Sequence, residues 1–175
     1  NGDLYFTDPP YGLEKRMDDP AKELPFQGVY RLPKGAKAPV LLTKDVTRPN
    51  GIGFSPDEKK LYVASSDPDK AIWMVYDVQD DGSIANGKVF FDSTAWFKEG
   101  RPGLPDGLKV DKQGNIFATG PGGVLVFAPD GTHLGTIETG QKTANCGFGD
   151  DGSVLYMTAD MFFCRIKLST TGLGF

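Results

Sequence analysis

Hydrophobic and polar positions along this chain repeat a short unit in which a polar turn is followed by an apolar strand. The unit occurs at residues 1–8, 55–64, 111–119 and 150–158. Each copy pairs Asp, Gly, Asn or Ser turn residues with a run of β-branched and aromatic side chains, which favours extended backbone. Helical periodicity is absent. The pattern therefore predicts an all-β fold made of repeated sheets.

Within one repeat the sequence predicts four strands. They lie at 51–54, 61–65, 72–78 and 88–92, and in the following repeat at 107–111, 116–119, 124–127 and 134–139. Residues 92–99 carry a weak helical pattern, which we interpret as a loop. The interval between the last two repeats is close to the about 40–45 residues of a four-stranded propeller blade. We therefore predict that residues 1–175 form a single domain, a partial β-propeller of about three to four blades.

The two ends of the chain fall inside predicted blades. The sequence begins with Asn1-Gly-Asp at what should be the second strand of a blade, and it ends after a third strand at 164–167. We expect that N-terminal blades are missing from this sequence. Open strand edges can pair with another chain, so self-association through exposed blade edges is also expected.

Composition and charge exclude several classes of function. The 175 residues include 39% hydrophobic and 24% charged side chains, with a net charge of -4 and no cluster of Lys and Arg, so neither nucleic acid nor an anionic membrane is expected as a partner. The single histidine, His133, argues against a His-rich metal site or a Ser-His-Asp triad. Cys146 and Cys164 lack zinc-ligand spacing and leave the cellular compartment undecided.

Two predicted inner strands begin with the same motif, Pro-Asx-Gly followed by an apolar residue. It places Asn50 and Asp106 at equivalent positions on adjacent blades, and Asn145 near the same level in a third. An amide oxygen and a carboxylate that face each other suit a hard divalent cation such as Ca²⁺ or Mg²⁺. Asn-Gly and Asp-Gly are also common turn dipeptides, so a purely structural role stays open.

The motifs at 5–12, 48–54, 105–107 and 145–149 together resemble the SMP-30/gluconolactonase/luciferin-regenerating-enzyme family, in the family's order. The resemblance implies a six-bladed β-propeller that opens a sugar lactone with one divalent metal ion, Ca, Mg, Mn or Zn. It implies Asn50 and Asp106 as metal ligands. The family's Glu ligand belongs upstream of the motif at 5–12 and has no counterpart in this sequence.

On this resemblance Asp106 is also the catalytic base that orients the attacking water. Tyr11, Asn145 and Arg101 are candidates for binding the small-molecule lactone substrate. A packed Tyr in a proline-rich turn and an exposed loop Arg are the alternatives for Tyr11 and Arg101. Cys146 is expected to be a small buried apolar side chain. Hydrolysis of phosphotriesters or of other lactones, and an inactive fragment or binding scaffold, stay open as alternative functions.

Overall fold

Fourteen β-strands in four antiparallel sheets form the computed structural model of the chain, which describes residues 1–175. The first and last sheets have three strands: β1 (Leu4–Asp8), β2 (Gly28–Leu32) and β3 (Val40–Thr43), and β12 (Thr143–Gly149), β13 (Val154–Ala159) and β14 (Phe162–Lys167). The middle two have four: β4 (Pro49–Phe54), β5 (Lys60–Asp67), β6 (Lys70–Val78) and β7 (Ile84–Asp92), and β8 (Leu108–Val110), β9 (Ile116–Gly120), β10 (Gly123–Phe127) and β11 (His133–Glu138). The all-β prediction is confirmed, and each predicted strand overlaps an observed one.

Strand β5 shows how the sheets pack against each other. Its residues are buried on both faces, because one face contacts the first sheet and the other contacts the third. Leu61 and Val63 belong to a cluster that includes Val29 of β2. Tyr62 and Ala64 belong to a second cluster formed with β8, β9 and β10. A strand covered on both sides reads as a nearly continuous apolar run, as this one does.

The interface between the second and third sheets is the main aromatic core. Trp73 and Phe127 are 1% and 0% exposed, and their ring centroids are 5.4 Å apart. Phe91 lies 4.7 Å from Phe127, and Phe90 contacts the same ring edge-on at 5.7 Å. Tilted and edge-on aromatic pairs of this kind contribute beyond the apolar area that they bury. The two four-stranded sheets are therefore the best-anchored part of the chain.

The interpretation of residues 92–99 as a loop is wrong, because Thr94–Lys98 form a short helix, α1. Its first turn is held by side chains from outside the helix. The Asp92 carboxylate accepts the Thr94 N–H at 2.8 Å, and the buried Ser93 hydroxyl donates to the Ala71 carbonyl at 2.8 Å. Trp96 packs against Phe91. Tertiary contacts rather than intrinsic propensity thus stabilise this helix.

The last strand, β14, is an open sheet edge with apolar side chains in solvent. Phe162 and Phe163 are 60% and 73% exposed, and the neighbouring Met161 is 91% exposed. Whether this edge pairs with another chain stays a prediction. The only α-helix has five residues, and no helix of the structure is long and apolar enough to cross a membrane.

Candidate functional site

The Pro-Asx-Gly motifs meet where the first strands of the last three sheets, β4, β8 and β12, lie side by side. A Cβ atom added to Gly51 would lie 1.9 Å from the Asp106 carbonyl oxygen. A Cβ added to Gly107 would lie 2.1 Å from Oδ1 of Asn145. Only glycine allows approaches this close. The glycine of each motif is thus the point at which the next sheet's Asx residue makes contact.

Hydroxyl groups on β1, β5 and β9 tie these motifs to the preceding sheet, an arrangement that we call the hydroxyl latch. In each case a side chain near the end of the strand donates to a backbone carbonyl of the next sheet's motif: Thr7 to Asn50 at 2.7 Å, Ser66 to Pro105, and Thr119 to Ala144 at 3.2 Å. Thr119 shares its proton with the carbonyl of Gly107, at 3.0 Å. Ser66 and Thr119 are 6% and 0% exposed. The latch therefore recurs at three successive sheet junctions and holds each motif against the preceding sheet.

Sequence reasoning missed the latch, although a signal for it exists. The three hydroxyl residues occupy the same place in the repeated segments Thr7-Asp8-Pro9, Ser66-Asp67-Pro68 and Thr119-Gly120-Pro121. Aligning the ends of β1, β5 and β9, rather than only the turns, would have brought them into one register. Their function becomes visible only when each sheet is placed against the next.

A cavity of about 600 Å³ opens beside the motifs. Of the predicted site residues, Tyr11, Asn50 and Asp106 line it together. Ser66 forms part of the same wall, and its hydroxyl hydrogen-bonds the Asn50 side chain and the carbonyl of Pro105, the residue before Asp106. The structure therefore brings the two candidate metal ligands and one candidate substrate contact to a single concave surface, which is where small-molecule sites occur.

The Asp106 carboxylate is half-buried and has no ion-pair partner within the chain. Burial raises the pKa of this carboxyl above its ordinary value, and the backbone N–H of Gly107 opposes the rise. A desolvated carboxylate without a counter-charge is unfavourable unless a cation or a proton joins it. It is the one acidic side chain that lines the cavity.

The side-chain amide of Asn50 is oriented by one hydrogen bond, from Nδ2 to Oγ of Ser66 at 3.0 Å. Its oxygen is left as a free acceptor beside the cavity. Together with Asp106 it supplies two oxygen donors of the kind that Ca²⁺ and Mg²⁺ prefer, although Ca²⁺ takes six to eight. No cluster of three or more His, Cys, Asp or Glu side chains is present in the chain. The residues present thus fit part of a hard-cation site, and water or other groups must complete it.

Three cationic side chains also line the cavity: Arg16, Arg48 and Lys142. None of them forms an ion pair within the chain. Arg16 lies over the ring of Tyr11, with 5.9 Å from the guanidinium carbon to the ring centroid. Asp106 is the only acid on this surface, so the cavity wall formed by this chain carries more positive than negative charge.

Arg101 and Asn145 lie outside the lining of this cavity. The Arg101 guanidinium is 4.6 Å above the Trp96 ring and 3.6 Å from the Glu99 carboxylate. Oδ1 of Asn145 accepts the backbone N–H of Cys146 at 2.9 Å, while the residue before it, Ala144, does line the cavity. Substrate binding by Arg101, Asn145 and Tyr11 stays a prediction.

Cys146 is the buried apolar side chain that the sequence predicted. It is 5% exposed and packs with Phe117, Leu155 and Met157. Burial raises the pKa of its thiol to about 12. Since the thiolate is the nucleophilic form, this residue is inert at neutral pH.

The fold and the site together define a class of protein. It is an all-β chain whose antiparallel sheets lie side by side, and Asn or Asp residues of successive sheets line one cavity. Comparison with known proteins agrees with this class. A model of the family described as SMP-30/Gluconolactonase/LRE-like region matches residues 1–160. The chain therefore belongs to the SMP-30/gluconolactonase/LRE-like family, as its motifs predicted.

Similar proteins include several lactonases. A gluconolactonase of Zymomonas mobilis is 41% identical over 175 residues, which cover 98% of this chain and 49% of that protein. The solved structure of a gluconolactonase from Xanthomonas campestris matches with a TM-score of 0.81 and 32% identity, over 95% of this chain and 54% of that one. The structure of regucalcin from Agrobacterium tumefaciens, a calcium-binding protein, matches with a TM-score of 0.65 and 26% identity, over 85% and 54%. The chain spans about half the length of these proteins.

Proposed function

We propose that the protein containing this chain is a divalent-metal-dependent hydrolase that opens a sugar lactone. The observation that carries the proposal is that the Asn50 amide and the unpaired Asp106 carboxylate line the same cavity. The similarity to gluconolactonases supports the reaction class, and the similarity to a calcium-binding protein supports the metal.

The same proposal includes the architecture of the whole protein, a six-bladed β-propeller. The four sheets would be four neighbouring blades, with β4, β8 and β12 as inner strands around a central axis. The contacts of Gly51 with Asp106 and of Gly107 with Asn145 support this arrangement, because each repeats the same step from one inner strand to the next. Two further blades would complete the ring and remove its open edges.

Asp106 is the general base in this proposal. In lactone hydrolysis a water oxygen attacks the carbonyl carbon, a tetrahedral oxyanion forms, and the ring C–O bond then breaks. The base accepts the proton of the water, and a proton is delivered to the departing ring oxygen, which becomes a hydroxyl. The Asp106 carboxylate lines the cavity without an ion-pair partner in the chain, which supports this role, because it is free to accept a hydrogen bond from the attacking water.

Asn50 and Asp106 would hold the divalent cation through their side-chain oxygens. When bound, the cation supplies positive charge that stabilises the developing oxyanion. Asn50 would contribute a neutral oxygen ligand, which does not titrate and so does not change with pH. Asp106 would contribute the negative charge that attracts the cation.

The cationic wall of the cavity supports a reaction that produces an anion. Opening a lactone converts a neutral ring into a hydroxy acid, whose carboxylate is negative at neutral pH. Arg48 is half-buried and unpaired, so it can approach such a carboxylate without first breaking an ion pair. The negative charge of the product carboxylate is thus complementary to the positive side chains that line the cavity.

The test is a pH-stat assay of glucono-lactone hydrolysis, with and without EDTA and with Ca²⁺, Mg²⁺, Mn²⁺ or Zn²⁺ restored one at a time. We expect proton release that EDTA abolishes and one of these metals restores. A phosphotriester substrate run in parallel should turn over far more slowly. The proposal would be contradicted if the phosphotriester were hydrolysed faster than the lactone. It would also be contradicted if prolonged incubation with EDTA left the rate of lactone hydrolysis unchanged.

A further inference from the structure

Ser66 occupies a junction between the two candidate ligands, and its protons can be assigned. Its hydroxyl hydrogen-bonds both to the Pro105 carbonyl oxygen and to the side-chain amide of Asn50. A carbonyl oxygen can only accept, so the single Ser66 proton points to Pro105. Oγ must then accept its second bond from Asn50. The atom of Asn50 that faces Ser66 is therefore the NH₂ group, and the amide oxygen must point away from it.

This orientation matters because the backbone around Asn50 lacks the usual ties of a strand. The pairing of β4 with β5 is irregular between Pro49 and Ile52, so Asn50 and Gly51 have no partner residue in the ladder. The Asn50 carbonyl oxygen is held from the other side, by Thr7 of the first sheet. Ser66 is the only residue that hydrogen-bonds the Asn50 side chain.

Ser66 is itself buried, and its backbone is held by hydrogen bonds. It is 6% exposed, it pairs with Ala71 in the β5–β6 ladder, and its backbone N–H donates to the Arg48 carbonyl at 2.9 Å. Water cannot readily replace its hydroxyl in such a place. The same hydroxyl also holds the peptide that immediately precedes Asp106. One side chain therefore sets the orientation of Asn50 and the position of the Asp106 loop at once.

We propose that Ser66 is a positioning residue of the cation site: it fixes the Asn50 amide with its oxygen toward the cavity and ties that ligand to the loop that carries Asp106. The inference rests on the proposed function, since it assigns Ser66 a role in the same site. Partners that orient a metal ligand typically change metal affinity by about 10–100-fold when they are removed.

The chain offers a matched control in the neighbouring residue. Ser65 is 0% exposed on the opposite face of β5, and its hydroxyl has no hydrogen-bond partner. Ser65→Ala therefore removes the same atom from the same strand without touching Asn50. Ser66→Thr keeps a hydroxyl group at this position and serves as the second comparison with Ser66→Ala.

The experiment measures binding of Ca²⁺ and Mn²⁺ by calorimetry, together with the NMR resonances of the Asn50 side-chain NH₂ group. For Ser66→Ala we expect cation affinity to fall by about 10–100-fold and the Asn50 NH₂ resonances to move toward solvent-exposed values. Ser65→Ala should leave both unchanged, and Ser66→Thr should recover most of the affinity. In an Asn50→Ala background, Ser66→Ala should have much less effect than in the parent protein, because the ligand that it orients is gone.

The outcomes separate the two proposals. If the parent protein binds the cation and Ser66→Ala binds it equally well, the role of Ser66 is overturned while the proposed function stands. If Ser66→Ala lowers cation affinity by the same factor in the parent protein and in the Asn50→Ala background, the role of Ser66 is also overturned. Such additive losses indicate general damage to the fold. If the parent protein binds no divalent cation, the metal dependence of the proposed function fails together with the role of Ser66.

Discussion

The carbonyl oxygen of Asp106 lies 1.9 Å from the position that a Cβ atom on Gly51 would occupy. The two motifs that carry the candidate ligands are thus in direct backbone contact across the junction of two sheets. The distance between Asn50 and Asp106 is set by this contact and by the Ser66 hydrogen bonds, rather than by flexible side chains. Changes at Gly51 should therefore affect both stability and the site.

Gly51→Ala tests this contact. The added methyl group meets a backbone oxygen that cannot rotate away, so the strands must separate. Overpacking of this kind costs about 1–3 kcal/mol, and we expect a value near the upper end in urea unfolding. Lactone turnover should fall as well, because Asp106 moves with its loop. Gly135→Ala on β11 is the control: its Cβ would meet nothing within 4 Å, and it should change neither quantity.

Asp106→Asn separates catalysis from folding. Loss of the general base and of a charged ligand should reduce kcat by about 10²–10⁴-fold. Without metal the variant should unfold at a higher urea concentration than the parent protein at neutral pH. The reason is that burial raises the pKa of this carboxyl, so the ionised form destabilises the folded state above the unfolded-state pKa. Asp130→Asn in an exposed turn should leave turnover intact, and an unchanged kcat in Asp106→Asn would refute its role as the base.

The Asp3–Arg31 ion pair predicts a pH dependence of stability. Oδ2 of Asp3 lies 2.6 Å from the Arg31 guanidinium, and Oδ1 accepts the Lys34 N–H at 2.8 Å. The Lys34 N–H and then Arg31 hold the pKa of Asp3 below its ordinary value of 3.8. Because the folded-state pKa is lowered, the stabilisation is present above the unfolded-state pKa and is lost as the pH falls through the folded-state value.

Asp3→Asn keeps an acceptor for Lys34 but removes the charge. Urea unfolding at a series of pH values should show the parent protein more stable than Asp3→Asn at neutral pH. The two curves should converge as the pH drops below 3.8. A difference that persists unchanged in acid would show that the carboxylate charge is not its cause.

Phe127→Ala should strongly destabilise the core between the second and third sheets. Phe127 is fully buried and touches Trp73 and Phe91. Truncating a buried Phe costs about 3–5 kcal/mol, from lost burial and from the cavity that remains. Leu134→Ala, at a residue that is 58% exposed on β11, should stay within about 0.5 kcal/mol. Similar losses for the two would contradict the packing described here.

The strands could be predicted because their signals are local. Runs of β-branched and aromatic residues next to polar turn residues identified β5, β6, β9 and β10 nearly residue by residue, since strand propensity and turn chemistry act over a few positions. Helix α1 could not be predicted in this way. Its five residues are too few to be stable alone, and they are held by Ser93, Asp92 and Trp96 through contacts with other strands.

The sequence by itself determined the repeat and the class of fold, and it predicted Asn50 and Asp106 as a pair, because similar local motifs at equivalent points of a repeat occupy equivalent places in space. Tertiary structure alone decided which groups act together. It joined Ser66 to Asn50 and to the carbonyl of Pro105 beside Asp106, and it placed Arg48 and Lys142 on the same cavity. It also left Arg101 stacked on Trp96 outside that cavity. The reason is physical: hydrogen bonds and burial depend on distances between sheets, and residues far apart in sequence acquire those distances only when the sheets pack.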